Sequence, residues 1–305
     1  MASKTSVSIF TTAITQSIKG KIWKWFLGGI GSLVGVLLLV KNFFGLDVLK
    51  SSLYGGAFLF LLFIIRFSIF LAREVIKHLH FINRDSIYGD AIIALKDAFA
   101  KVNALQRAKD FSDTEFVAVM VEICNGLQHF FNKKTKSKCS VSIKVPITGN
   151  VSANASVQNL CRDSEHARIR DTEVYNKINH TIIGNTPFQK ILNGVLTGNR
   201  RKFIYINNDI NASKDYENTS RDAYTTGILP YESEIVYPLI PAYFTDKSKY
   251  DVLGFLCIDC QCKGKFDEKY DVAIIECATD RLYDLIVTRN YLKAVKQTQN
   301  EGTAA

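Results

Sequence analysis

The chain has 305 residues, 47% of them hydrophobic and 22% charged, with a formal net charge of +9. That length holds one soluble domain of roughly 150 residues plus further elements, and the composition excludes a disordered chain. Residues 1–138 carry 18 Lys and Arg against 9 Asp and Glu, and residues 139–291 carry 18 against 19. The C-terminal half therefore lacks the basic excess of a broad nucleic-acid-binding surface.

Residues 1–21 read as a polar segment. Residues 22–72 hold two apolar stretches, at about 25–40 and 53–72, joined by a short linker. A bilayer core of ~30 Å needs ~20 helical residues, so the pair predicts a transmembrane hairpin with lipid as its first partner. Lys19, Lys21 and Lys24 flank it on one side, and Arg73, Lys77 and Arg84 on the other. Positive charge stays on the cytoplasmic side, so both termini of this multi-pass protein are expected in the cytoplasm, beneath the plasma (inner) membrane. Gly31 and Gly35 form a small-xxx-small motif for close helix packing. Arg66 lies within the second span. It either snorkels to the headgroups or lines a gate in an oligomer.

Residues 73–111 predict a connecting helix, with Ile92, Leu95, Phe99 and Val102 along one seam and residues 85–89 as a candidate break. Two readings stay open: a coiled coil in a homo-oligomer, or a helix packed on its own domain. Asp113 opens a second amphipathic helix reaching Phe131, with Phe116, Met120, Cys124 and Leu127 on one face.

The period then changes. Val141, Ile143 and Val145 alternate with Ser140, Ser142 and Lys144, which predicts a strand over 139–147. Further strands are expected at 157–161, 202–207, 235–242 and 252–260. A short helix is expected at 185–192 with Pro187 in its first turn, and a long helix at 266–291 with Asp267 at its N-cap. Residues 162–183 and 208–232 read as polar loops, and 292–305 as a disordered tail.

Seven cysteines, mostly in apolar runs, read as reduced thiols rather than a disulfide framework. Cys257, Cys260 and Cys262 suggest strand and turn residues, a redox pair or a weak metal site. Arg162, Asp163, Glu165, His166, Arg168 and Arg170 crowd one segment, as a salt-bridged loop or the rim of a pocket. No P-loop, G-x-S-x-G, H-E-x-x-H or kinase set is present, so no enzyme is expected.

Several residues carry a resemblance: Leu160-Cys-Arg-Asp163, Asn185-Thr-Pro-Phe188, Phe203 to Asp209, Ile235-Val-Tyr-Pro-Leu-Ile240, and Leu253 to Asp259 followed by Phe266-Asp267. Over residues 112–291 the chain resembles the GAF domain family. That resemblance implies an α+β fold, an antiparallel sheet with helices on one face and a small-molecule pocket on the other. It implies ligand contacts from Arg162, Asp163, Arg168, Arg170, Asn185, Thr186, Asn207 and Asp209. A cyclic nucleotide is a candidate ligand, although the Asn-Lys-x-Phe-Asp-Glu signature of that class is matched only by Lys265-Phe-Asp-Glu268. No haem follows from His166 or His180. The layout resembles two-span membrane effectors of bacterial antiphage systems, which implies a signalling nucleotide or a defence-system protein as partner. A membrane-tethered sensor that passes its signal to a separate enzyme is the alternative.

Overall fold

The computed structural model describes residues 48–108, 110–149, 151–170, 180–198, 203–224, 226–241 and 251–303, together with 11, 15, 41, 42 and 45. The chain divides into two compact units, Met1–Ser86 and Ile87–Ala305.

In the first unit the described chain is mainly the start of α1 (Val48–Arg107). From Leu53 onward this helix is long and apolar enough, by length and composition, to cross a membrane. Its large apolar side chains, among them Phe58, Phe60, Leu61 and Ile65, are exposed. The guanidinium of Arg66 lies 5.0 Å from the centroid of the Phe70 ring, and that of Arg73 lies 6.0 Å from the same ring. Each gains a cation–π contact one turn along the helix. The first apolar stretch, with Gly31 and Gly35, lies outside the described residues, and the expected hairpin with it. The expected break at 85–89 is absent: α1 runs through Gly89, where no proline interrupts the hydrogen-bond ladder.

The second unit begins with the last turns of α1. Ile87, Ala91, Leu95, Ala98 and Val102 are buried, so this segment packs on its own domain. Ser112, not Asp113, caps α2 (Asp113–Thr135). Its hydroxyl accepts from the Glu115 N–H, and the Glu115 carboxylate accepts from the Ser112 N–H at 2.8 Å, a reciprocal capping box. Asp113 instead pairs with Arg289 and Lys293 of the last helix.

The sheet contains β1 (Cys139–Pro146), β2 (Ser156–Arg162), β3 (His180–Thr181), β4 (Tyr205–Asn207), β5 (Ser233–Pro238) and β6 (Phe255–Cys260). Its order is β3-β2-β1-β6-β5-β4, with every pair antiparallel. Among its described residues the unit has three more helices: α3 (Ser164–Arg170), α4 (Thr186–Leu196) and α5 (Tyr270–Thr303). Two 3-10 turns, Ile210–Ala212 and Thr219–Ala223, lie in the long segment before β5.

Alternation along the strands divides the side chains between two layers. Val141 and Ile143 of β1 and Leu256 and Ile258 of β6 are buried beneath α2 and α5, whose own apolar residues include Phe116, Ile123, Leu127, Leu282 and Leu285. The opposite face is covered by α4 and the 3-10 turns. There Phe188 of α4 stacks on Phe255 of β6 with ring centroids 4.5 Å apart. An antiparallel sheet with helices packed on one face is the arrangement that the resemblance implies.

Three local expectations change. Residues 164–170, expected within a loop, form α3, and His180–Thr181 adds an edge strand. Residues 292–303, expected as a disordered tail, continue α5, with Lys296 donating to Asp110 at 2.6 Å.

Gly254 enters β6 where a Cβ would stand 2.2 Å from the Lys144 carbonyl oxygen, with φ at +155°. Gly254→Ala is expected to push β6 away from β1 and destabilise the domain by about 3 kcal/mol, in the upper range for overpacking. A urea titration followed by circular dichroism measures the loss.

Candidate functional site

A cavity of about 50 Å³ lies on the sheet face opposite α2 and α5. Its floor comes from four neighbouring strands. Arg162 ends β2, Ser142 and Lys144 come from β1, Cys257 and Asp259 from β6, and Glu234 and Val236 from β5. Register explains the convergence: Ser142 is opposite both Arg162 and Cys257, and Cys257 is opposite Val236.

The charges on this floor are sorted. The two cationic residues lie on β2 and β1, and the two carboxyls lie on β6 and β5. Glu234 and Asp259 are direct cross-strand partners. Two ionised carboxyls in that position would be destabilising, which favours a proton on one of them. Burial, and next to it the neighbouring Asp259, pushes Glu234 up to about 8. The Oε1 of Glu234 is buried without a hydrogen-bond partner. One strand further along the same row, opposite Asp259, the buried Ser140 Oγ is also without one. Buried polar atoms of this kind mark a place for water or ligand.

On the cationic side, His180 is held neutral. Burial first, then Lys144 and Arg162, pull it down to about 2, and its Nδ1 lies 2.9 Å from the Thr219 hydroxyl. The Lys144 ammonium lies 5.7 Å from the Phe188 ring centroid. Burial pushes the Cys257 thiol up and so keeps it protonated.

The cover is tied by side chains. Asn218 donates to the hydroxyls of Tyr216 and Tyr231 at 2.8 and 3.0 Å, and its Oδ1 accepts from the Ser220 N–H. Burial pushes both phenols up, so they stay protonated and can donate. Asn185 donates to the Thr181 carbonyl and the Thr219 hydroxyl and accepts from the Thr219 N–H.

Of the residues expected to contact ligand, the structure brings Arg162 to the cavity. Asp163 is buried as an anchor, accepting from the Val141 N–H and from the N–H and ring Nδ1 of His166. Arg168 is exposed on α3, the helix that also carries Arg170. Asn185 and Thr186 fasten the cover, with the Thr186 hydroxyl bridging Asp215 and Glu217. Asn207 donates to Ser213, and Asp209 caps the first 3-10 turn and pairs with Lys263. Lys144, Glu234 and Asp259 were missed. The available signal was a charge on each of three strands that are covered on both faces.

No family model matches the chain, and no curated protein does. Solved structures do. The chain is similar to the GAF domain of the Acinetobacter phosphoenolpyruvate-protein phosphotransferase, at 12% identity over 66% of this chain and 94% of that one, with a TM-score of 0.41. It is similar to the free methionine-R-sulfoxide reductase of Neisseria meningitidis, in complex with its substrate, at 14% identity over 65% and 89%, with a TM-score of 0.39. It is also similar to fRMsr of Staphylococcus aureus, at 13% identity over 64% and 95%, with a TM-score of 0.37. The expectation that the chain is not an enzyme is withdrawn, because a methionine-R-sulfoxide reductase stands among these likenesses beside a GAF domain.

The raised Glu234 sets a pH dependence. Below the ordinary carboxylate value of 4.5 the group is protonated in both the folded and the unfolded chain. Between 4.5 and about 8 the unfolded chain releases the proton and the folded chain keeps it, so stability falls as pH rises. Glu234→Gln is expected to remove this slope and to gain on the order of a few kcal/mol over the parent above the upper limit. Denaturation midpoints across a pH series read it.

Proposed function

We propose that residues 87–303 form a sensory domain for a small zwitterionic molecule of the α-amino-acid class, tethered to a membrane by α1. The observation that carries this reading is the sorted floor of the cavity. Lys144 and Arg162 on one side suit a carboxylate, and Glu234 and Asp259 on the other suit an ammonium group. A ligand with both charges pairs each end with its opposite and leaves the site's net charge unchanged. A purely anionic or cationic ligand would satisfy one half and oppose the other.

Size supports the same class. A cavity of about 50 Å³ has room for about three or four waters. A cyclic nucleotide would have to displace α4 or the 3-10 cover. The membrane tether is supported by α1, whose apolar stretch from Leu53 onward and whose domain-packed last turns belong to one helix. Nothing in the cavity bears on the antiphage role that the layout resembles.

A thermal-shift screen of the full chain in detergent micelles tests the reading. The probes are free amino acids, glycine betaine, dicarboxylates, polyamines and cyclic mononucleotides. An amino acid at 100 times its dissociation constant should stabilise by about 2.7 kcal/mol. That shift should fall away in Arg162→Met and in Asp259→Asn. A saturable shift with a nucleotide and none with any zwitterion would replace this ligand class with the nucleotide.

A further inference from the structure

A second group of chemistry-bearing residues lies on the other face of the sheet, at the end of the β1/β6 ladder. Cys139 begins β1 and Cys260 ends β6, and the register sets them directly opposite each other. The Cys139 N–H donates to the Asn132 side chain at 2.6 Å, and the Gln261 N–H donates to the Lys138 carbonyl at 3.0 Å. The ladder bond thus falls on the flanking rung, and Cys139 and Cys260 form a non-hydrogen-bonded pair. In such pairs the Cα atoms stand about 4.5 Å apart and the side chains are closest. Disulfides span Cα separations of about 4.4–6.8 Å, so the backbone already meets the requirement.

The Cys139 thiol donates to the Ser137 carbonyl at 3.8 Å, and the Thr135 hydroxyl lies 3.4 Å from the Cys139 sulfur. The neighbouring Cys139 is the main influence that draws Cys260 down to about 5, while Cys139 is pushed up. A thiolate held against a thiol is the arrangement from which dithiols oxidise. Both residues are buried, but residues 261–265 immediately beyond Cys260 are exposed, Cys262 among them. Fraying of a single rung would open the pair.

The contrast with Cys124 and Cys161 is informative. These two are neighbours as well, but they join α2 to β2 in the middle of the core. The neighbouring Cys161, and next to it burial, keep the Cys124 thiol protonated.

We propose that Cys139 and Cys260 are a redox-active dithiol that closes to a cross-strand disulfide on meeting a low-molecular-weight disulfide of the glutathione class. The Cys260 sulfur attacks one sulfur of the oxidant, forming a mixed disulfide and expelling a thiolate that takes up a proton. Cys139 then gives up its proton and attacks the Cys260 sulfur, expelling the second thiolate, which is protonated in turn. Two protein thiols are oxidised, and the oxidant's disulfide is reduced to two free thiols. The bond ties the start of β1 to the end of β6, and it is independent of the ligand cavity on the opposite face.

The test uses the full chain in detergent micelles, incubated with oxidised glutathione, alkylated without reduction, digested and mapped by mass spectrometry. The expected product is a peptide pair linked through Cys139 and Cys260, released by dithiothreitol, with Cys124 and Cys161 alkylated only after unfolding. Cys139→Ser should lose the link and accumulate glutathione on Cys260, because the resolving thiol is gone. Cys262→Ser should keep the link. Modification confined to Cys262 and Cys277, with Cys139 and Cys260 still reduced at saturating oxidant, would overturn the proposal. Should Cys139→Ser fail to fold by circular dichroism, the linkage map of the parent chain decides alone.

Discussion

The two-residue period of β1 is the constraint on which the domain rests. This strand pairs with β2 on one edge and β6 on the other, so its register fixes theirs. Val141 and Ile143 must meet α2, and then Ser142 and Lys144 must face the cavity. A slip of one residue would bury Lys144 among phenylalanines and turn the apolar set toward polar groups. The anchor is Asp163, which receives the Val141 N–H at 2.9 Å from just beyond the end of β2. A buried carboxylate thereby fixes the pairing from which both faces of the sheet follow. His166, held 2.8 Å away, and the lowered pKa of Asp163 keep that acceptor charged.

The two faces store different chemistry. The helix-covered face holds bulk apolar packing and the cysteine pairs, so its groups change state only through electron transfer or unfolding. The cavity face holds opposed charges in a confined polar space, so its groups respond to protons. The sheet separates them, with strands contributing alternate residues to each. Asp259 and Cys260 are consecutive in the chain, yet they belong to opposite faces.

Much of the fold was legible because its signals are local. Alternation in β1, the apolar runs of β5 and β6, Pro187 at the start of α4 and the stripe Ile275, Ala278, Leu282 of α5 each declare an element within a few residues. The cover was not legible. The 3-10 turns depend on Asp209, Asn218 and Asn185 reaching backbone groups up to 34 residues away, which no periodicity records. The site was half legible for a similar reason. Arg162 stood out in a dense polar cluster, whereas Glu234 and Asp259 look like ordinary solvent-facing strand residues until the register sets them opposite each other. Asp163 and Asn185 attracted notice as polar residues at element ends. Their role is to hold backbone, which sequence alone does not separate from holding ligand.

The way the cavity is closed has a kinetic meaning. Beside α4, its cover is irregular chain pinned by a few side-chain bonds, over a floor of continuous ladder. Such a cover opens locally at far lower free energy than the sheet beneath it. Entry of a solute then waits on the opening of the 3-10 segments, and departure waits on it too. For the solute proposed above, a domain built this way would trade speed for retention: it would capture slowly, release slowly, and average the solute concentration over the time its cover stays shut.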